Sequence, residues 1–304
     1  MARPRKAIVE YRIYELPSKF PVLMLSGKNW HICDVKSRRL HFHNCFEIGV
    51  CISGSGNLVI EGTELPFRTG DVTFIPKHIA HTTYSTKDTK SLWSYLFLDF
   101  NKLLGTQPEI DFYRLFSQAE NGRFYFLVTS VLEELRNKSH FHEMIIKGLL
   151  STIYYELLRF GKKLDVAQRS DTSNFYVIAP ALQYMFDNFS NKLYISSLAE
   201  LCHLSESHFR REFLSVMGLT PLSFLNMIRI EKVCELLVTT TDSILAVSEA
   251  AGFCSISSLN RCFAEVTGVS PRSYRENRFG NIKVKNLSIL PYRGWTEAEN
   301  LNDN

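Results

Sequence analysis

The chain has 304 residues, enough for two domains of ordinary size, and its 45% hydrophobic and 22% charged residues exclude wholesale disorder. A net charge of +4 permits an acidic partner without pointing to one, and no run approaches the ~18–20 apolar residues of a membrane span. Seven cysteines (Cys33, Cys45, Cys51, Cys202, Cys234, Cys254, Cys262) form an odd set without a CxxC pair, which argues against a disulfide scaffold or thiolate zinc site and fits a reducing cytoplasm.

The start, Met1-Ala2-Arg3-Pro4-Arg5-Lys6, is basic but runs into Glu10, Arg12 and Glu15 rather than an apolar stretch. Residues 1–20 are therefore read as an N-terminal arm, a solvated terminus or a contact for DNA or a neighbouring domain, and not as a signal peptide. Residues 21–105 read as short strands broken by turns. Leu58-Val59-Ile60 runs into Glu61-Gly62-Thr63-Glu64 as a hairpin, and Val72-Thr73-Phe74-Ile75 stops at Pro76, which cannot donate to a ladder. This spacing predicts a small β-barrel or sandwich.

From 106 to 166 the period becomes helical. Phe126, Leu127, Ser130, Val131 and Leu135 form one stripe; Met144, Ile145, Leu149, Ile153, Leu157 and Leu158 form another, ended by Gly161-Lys162-Lys163. Residues 167–174 are polar and aperiodic, an interdomain linker, while 175–279 read as all-helical and 280–304 as a loosely ordered tail.

The helical region contains a repeat. Leu198-Ala199-Glu200-Leu201-Cys202-His203-Leu204 leads to Ser205 and Phe209-Arg210-Arg211-Glu212-Phe213, and closes on Gly218-Leu219-Thr220-Pro221. Val247-Ser248-Glu249-Ala250-Ala251-Gly252-Phe253 leads to Ser255 and Leu259-Asn260-Arg261-Cys262-Phe263, and closes on Gly268-Val269-Ser270-Pro271. Each copy has the anatomy of a helix-turn-helix: small residues at the crossing (Ala199; Ala250 and Ala251), a serine N-cap, an inward pair four apart, and a glycine stop. Between them Pro221 opens a helix whose apolar face is Leu222, Leu225, Ile228, Ile230, Val233, Leu236 and Leu237. About 18 residues at ~1.5 Å each span roughly 27 Å, enough with flanking turns to hold two recognition helices near the ~34 Å of successive major-groove faces.

On these residues, 179–278 resemble the paired helix-turn-helix domain of the AraC/XylS family of bacterial transcription regulators. The resemblance implies that Ser207, Arg210 and Arg211 of the first recognition helix, and Ser257, Asn260 and Arg261 of the second, face double-stranded DNA. Arginine can bind guanine O6 and N7 bidentately, and serine and asparagine contact bases or phosphates. Two departures stand out: Ser258-Leu259 replaces the family's usual aromatic pair, and 175–279 hold nine Lys/Arg against ten Asp/Glu, net −1, so a dimer is expected to supply affinity.

Upstream, His41-Phe42-His43 followed by Glu47 and Gly54, then Gly70, Asp71, Pro76 and His81, resemble the two signature motifs of the cupin barrel, with His78 and Ser85 departing from its second motif. In metal-binding cupins the matching residues, here His41, His43, Glu47 and His81, are the ligands, and three imidazoles with one carboxylate suit a divalent transition metal. The same cluster can instead line a pocket for a small effector, or only satisfy local hydrogen bonds. Trp30 and Trp93 are stacking candidates for a sugar-like effector, or core.

The reading is an α+β chain: a cupin-like effector barrel (21–105), a helical dimerisation segment (106–166) that alternatively only packs on the barrel, and a DNA-binding domain (175–279) with two helix-turn-helix units joined by a long helix. The expected function is an effector-responsive activator of a metabolic, carbohydrate-related operon. It would act as a cytoplasmic homodimer with RNA polymerase as partner, no membrane and no enzymatic activity, since P-loop, nucleophile-elbow and HExxH motifs are absent. The rivals are a metal-dependent cupin enzyme with an accessory DNA domain, and an effector-free regulator controlled by a partner.

Overall fold

The computed structural model describes residues 9–14, 16–17, 19–27, 30–34, 40–60, 62–105, 110, 112–161 and 174–276. The basic run 3–6, the expected linker through Ser173 and the tail 280–304 lie outside them. The chain divides into two compact units, one within 14–171 and the other combining the start of the chain, through Ile13, with the segment after 172. Strand β1 (Val9–Arg12) opens the described chain and belongs to the second unit.

The first unit holds β2 (Val22–Leu25), β3 (His31–Cys33), β4 (Leu40–His43), β5 (Phe46–Ser53), β6 (Ser55–Ile60), β7 (Thr63–Arg68), β8 (Val72–Ile75), β9 (His81–Ser85), β10 (Lys90–Leu98), α1 (Phe100–Leu104), β11 (Arg114–Phe116), α2 (Gln118–Asn137) and α3 (His142–Gly161). One sheet runs β4-β9-β6-β7; the other runs β11-β8-β5-β10-β2, with β3 also on β10. Ile60 pairs with Thr63 in the β6–β7 ladder, which is the expected hairpin. Strand β11 extends the sheet beyond 105, into the segment expected to be wholly helical, by pairing Phe116 with Val72.

Strand β5 is buried on both faces, and its alternation assigns each residue a side. Phe46, Ile48 and Val50 face the helices, packing with Phe124, Leu127, Val128, Val131, Ile146, Leu150, Ile153 and Leu157. Glu47, Gly49 and Cys51 take the other face, in register with Phe97, Tyr95 and Trp93 of β10. The helical stripes are shifted from the expected phase: Phe126 (65% exposed) and Met144 (71%) point to solvent, while Phe124, Val128, Ile146 and Leu150 are buried.

The second unit carries α4 (Asn174–Asn188), α5 (Ile195–Leu201), α6 (Glu206–Met217), α7 (Pro221–Thr239), α8 (Ile244–Ala250), α9 (Ile256–Thr267) and α10 (Pro271–Glu276). The repeat is reproduced down to its hydrogen bonds. Ser205 and Ser255 cap α6 and α9 by accepting from His208 N and Ser258 N. Gly218 and Gly268 end those helices with φ of 69° and 77°. Thr220 and Ser270 accept from Ser223 N and Ser273 N ahead of Pro221 and Pro271. Phe209, Phe213, Leu259 and Phe263 are fully buried, as their spacing predicts. Ala250 is exposed, contrary to expectation; Ser248 takes the place that Ala199 holds in the first copy. Leu222 is also exposed, although Pro221, Phe224 and Leu225 around it in the first turn of α7 are buried.

Arg229, buried on α7, donates from Nε to Phe189 O (2.8 Å) and from an Nη to Asn191 O (2.9 Å), and its guanidinium stands 5.8 Å from the centre of the Phe253 ring. It thus ties the end of α4 and the turn of the second helix-turn-helix to the long helix. The strand β1 was not legible as structure. Val9, Tyr11 and Ile13 are buried, with the Tyr11 ring against Phe186 and Phe224 and its hydroxyl donating to Glu231 at 2.9 Å.

Candidate effector site and DNA-reading face

The pairing of β4 with β9 sets His41 directly opposite His81, their rings 4.2 Å apart. His43, two residues on, lies on the same side of the strand, and its ring is 5.1 Å from that of His81. Strand β5 supplies Glu47, whose Oε2 lies 3.2 Å from His43 Nε2 and 3.6 Å from His81 Nε2. The four residues singled out in the sequence therefore converge. His43, Glu47 and His81 are buried and His41 is half-buried.

Backbone carbonyls hold two of the rings: His43 Nδ1 donates to Cys45 O at 2.7 Å, and His81 Nδ1 to Ile79 O at 2.9 Å. Their Nε2 atoms have no hydrogen-bond partner among the described residues. Tyr14 packs edge-on against His43 at 5.8 Å and stacks at 3.9 Å on Phe97, the cross-strand neighbour of Glu47. Burial lowers the pKa of His43 and favours its neutral ring. Burial alone would raise that of Glu47, but His81 and His43 overcome it and hold the carboxyl below the usual carboxylate range.

Two contributors are not apparent from the strand pattern. Tyr14 lies ahead of the expected barrel boundary. His78 adopts φ of 64°, donates its backbone N–H to His43 O at 2.9 Å, and has its pKa pushed down to about 3 by burial, with Lys77 and His43 adding. Its only sequence signal is a histidine where the cupin motif has glycine. Ser85, the other departure, is structural: it donates to Ile32 O at 2.6 Å and bonds Ser91. Trp93 is core, 1% exposed, with Nε1 bonded to Ser91 and its ring parallel to Tyr95 at 5.6 Å. Trp30 is partly buried and packs against the cluster of Tyr14, Leu23, Leu25, Cys45 and Phe97.

In the helical unit, Ser207, Arg210 and Arg211 on α6 and Ser257, Asn260 and Arg261 on α9 are all exposed, on the sides opposite Phe209–Phe213 and Leu259–Phe263. Arg210 makes only a loose, exposed pair with Glu206 at 3.7 Å. The buried Arg229 is withdrawn from the cations counted in the sequence, so even fewer positive charges are available to phosphate.

Comparison with known proteins adds to this geometry. The AraC-like ligand binding domain family matches residues 31–153, and a helix-turn-helix domain family matches 198–277. The MmsAB operon regulatory protein of Pseudomonas aeruginosa is 32% identical over 93 residues, covering 31% of this chain and 30% of that protein. The chain thus matches less than a third of that relative's length. The raffinose operon transcriptional regulatory protein RafR of Pediococcus pentosaceus is 22% identical over 69% of this chain and 76% of its own. The HTH-type transcriptional activator RhaS of Enterobacter sp. (strain 638) is 23% identical over 80% of this chain and 89% of its own. With its sheet unit matched by one of these families and its doubled helix-turn-helix by the other, the chain belongs to the AraC family of regulators.

Proposed function

We propose that the chain is a sequence-specific, effector-responsive DNA-binding regulator that activates transcription of a metabolic operon. The observation that carries this reading is the doubled set of caps and buried anchors that presents Ser207, Arg210 and Arg211, and again Ser257, Asn260 and Arg261, from two helices held on one long helix. Helix α7 has 19 residues, which at ~1.5 Å each gives about 28 Å, a spacing suited to successive major-groove faces with the flanking turns. RafR's role in a raffinose operon and the activator description of RhaS support a carbohydrate-related effector and activation.

In this reading two copies bind adjacent half-sites and recruit RNA polymerase from the cytoplasm, with no catalysis by the barrel. Exposed Phe126, Phe141, Met144, Ile145 and Tyr155 on and between α2 and α3 support a dimer face. No single helix among the described residues is long and apolar enough to cross a membrane. The test is selection of bound genomic DNA fragments by the purified full-length protein. The reading predicts a shared motif with paired half-sites near promoters, and recovery of no motif at low salt by folded protein, with and without a metabolite panel, would contradict it.

A further inference from the structure

We infer that the two recognition helices read different base pairs through one equivalent row of side chains. Glu206 and Arg210 on α6 select a G·C pair, and Ile256 and Asn260 on α9 select an A·T pair. This deepens the regulator reading above and rests on it.

The repeat fixes which residues correspond. Ser205 and Ser255 cap the two helices in the same way, each accepting from the backbone N–H three residues on. Counted from these caps, Ser207 matches Ser257 and Arg211 matches Arg261, so that outward row is chemically identical in the two copies. The neighbouring row is not. It holds Glu206 and Arg210 in the first copy, and Ile256 and Asn260 in the second. Residues four apart on a helix lie one above the other. The 3.7 Å approach of Arg210 Nη2 to Glu206 Oε2 shows both side chains turned the same way, off the buried side of α6. All four residues are exposed, Ile256 by 38%, while Leu259, Cys262, Phe263 and Val266 form the buried side of α9.

The chemistry of each row matches one base pair. The N-terminal residues of a recognition helix are the ones that meet base edges in the major groove. There cytosine presents an N4 donor and guanine the O6 and N7 acceptors, whereas adenine presents an N6 donor beside N7 and thymine its methyl group. A carboxylate only accepts, so Glu206 takes a hydrogen bond from cytosine N4 while Arg210 beside it donates to guanine. An acid is also repelled by phosphate, so this row favours DNA only where the cytosine amine meets it. On α9 the Asn260 amide both donates and accepts, which fits adenine N7 and N6. Ile256 can do neither: against a thymine methyl it buries apolar surface, and against cytosine N4 it would leave a desolvated donor unpaired.

The experiment is selection from a random duplex library with the full-length chain, followed by affinity measurements on the selected element. Replacing each thymine in turn by deoxyuridine removes only its methyl. One such replacement is expected to weaken wild-type binding about fourfold, the worth of one buried methyl group, and to leave Ile256→Ala binding unchanged. Ile256→Val, which keeps a branched apolar contact, should retain the sensitivity. Exchanging the row, Ile256→Glu with Asn260→Arg, should change one selected pair from A·T to G·C; Glu206→Ile with Arg210→Asn should make the opposite change in the other half. Circular dichroism verifies folding, and the deoxyuridine scan of wild type and Ile256→Ala decides if the exchanged variants unfold. An element with no methyl-sensitive thymine, sensitivity that survives Ile256→Ala, or folded exchange variants that select the wild-type sequence overturns the assignment and leaves the regulator reading standing. A folded chain that selects no element contradicts the regulator reading and the assignment with it.

Discussion

Arg229 Nε donates to the carbonyl oxygen of Phe189 at 2.8 Å, across 40 residues of sequence. The same guanidinium bonds Asn191 O and stands against Phe253, so one buried cation caps the end of α4 and braces the second helix-turn-helix. Burial lowers its pKa without removing its charge at neutral pH. Among the described residues its charge is met by carbonyl dipoles rather than by an acid, which leaves the fold dependent on its geometry.

Arg229→Met should therefore destabilise the helical unit by about 1–3 kcal/mol, because the carbonyls of the half-buried Phe189 and of Asn191 lose donors that a methionine cannot replace. Arg229→Lys should recover only part of this, since a single ammonium does not reproduce the guanidinium fork. Urea unfolding of the three proteins measures both, and a Met variant within 0.5 kcal/mol of wild type, by an order-of-magnitude standard for surface changes, would contradict the bracing role.

Gly252 and Gly218 separate two reasons for glycine. Both have positive φ, 80° and 69°. A Cβ on Gly252 would meet Ser190 O at 2.5 Å, whereas one on Gly218 would meet nothing within 4 Å. Gly218→Ala should cost about 1 kcal/mol from backbone strain alone, and Gly252→Ala clearly more, because the second turn must also move off the loop after α4. Equal losses of stability in the two variants would show that the close approach does not matter.

Asp99 caps α1, accepting from Asn101 N and Lys102 N, and pairs with Lys77. Burial would raise its pKa, but Lys77 and the bond from Lys102 N overcome this, so the carboxyl sits below its usual 3.8. A depressed folded-state value contributes stability that is fully present above the unfolded value, about 3.9, and is lost as pH falls through the folded one. Thermal unfolding at pH 7 and at stepwise lower pH should show Asp99→Asn losing less midpoint temperature over that acid interval than wild type. Identical acid slopes would exclude Asp99 as a contributor.

The exposed Phe126 and Met144 offer a test of self-association. Phe126→Ser combined with Met144→Glu should leave the core untouched, since both side chains are solvent-facing, yet shift a dimer to monomer in light scattering. Persistence of a dimer at the same concentration would move the contact elsewhere.

Legibility in the sequence follows the range of the interactions. Ser205, Thr220 and Gly218, with their counterparts Ser255, Ser270 and Gly268, act within a few residues of themselves, so the doubled motif and its outward residues are readable from spacing alone. The one irregularity, Cys254, lengthens the second turn without disturbing the caps around it. The phase of α2 and α3 is not readable, because apolar residues such as Phe126, Leu127 and Val128 run consecutively and only the sheet beneath them selects a face. The role of Tyr11 depends on Glu231, 220 residues away, and no local pattern announces it. At the inner cluster, the ligand-like set of His41, His43, Glu47 and His81 is visible as a spacing. The carbonyl bonds that define the histidine tautomers, and the Tyr14 edge on His43, exist only in three dimensions.

The most direct test of the central account is binding of the selected DNA by wild type, Arg211→Ala and Arg261→Ala, measured against an unrelated fragment at fixed salt. Both arginines are exposed, so the variants should fold normally. The account predicts that each loses about 1–3 kcal/mol on the selected site, at a different half of the motif, with little change on unrelated DNA. Undiminished binding to the selected site by both variants would contradict it.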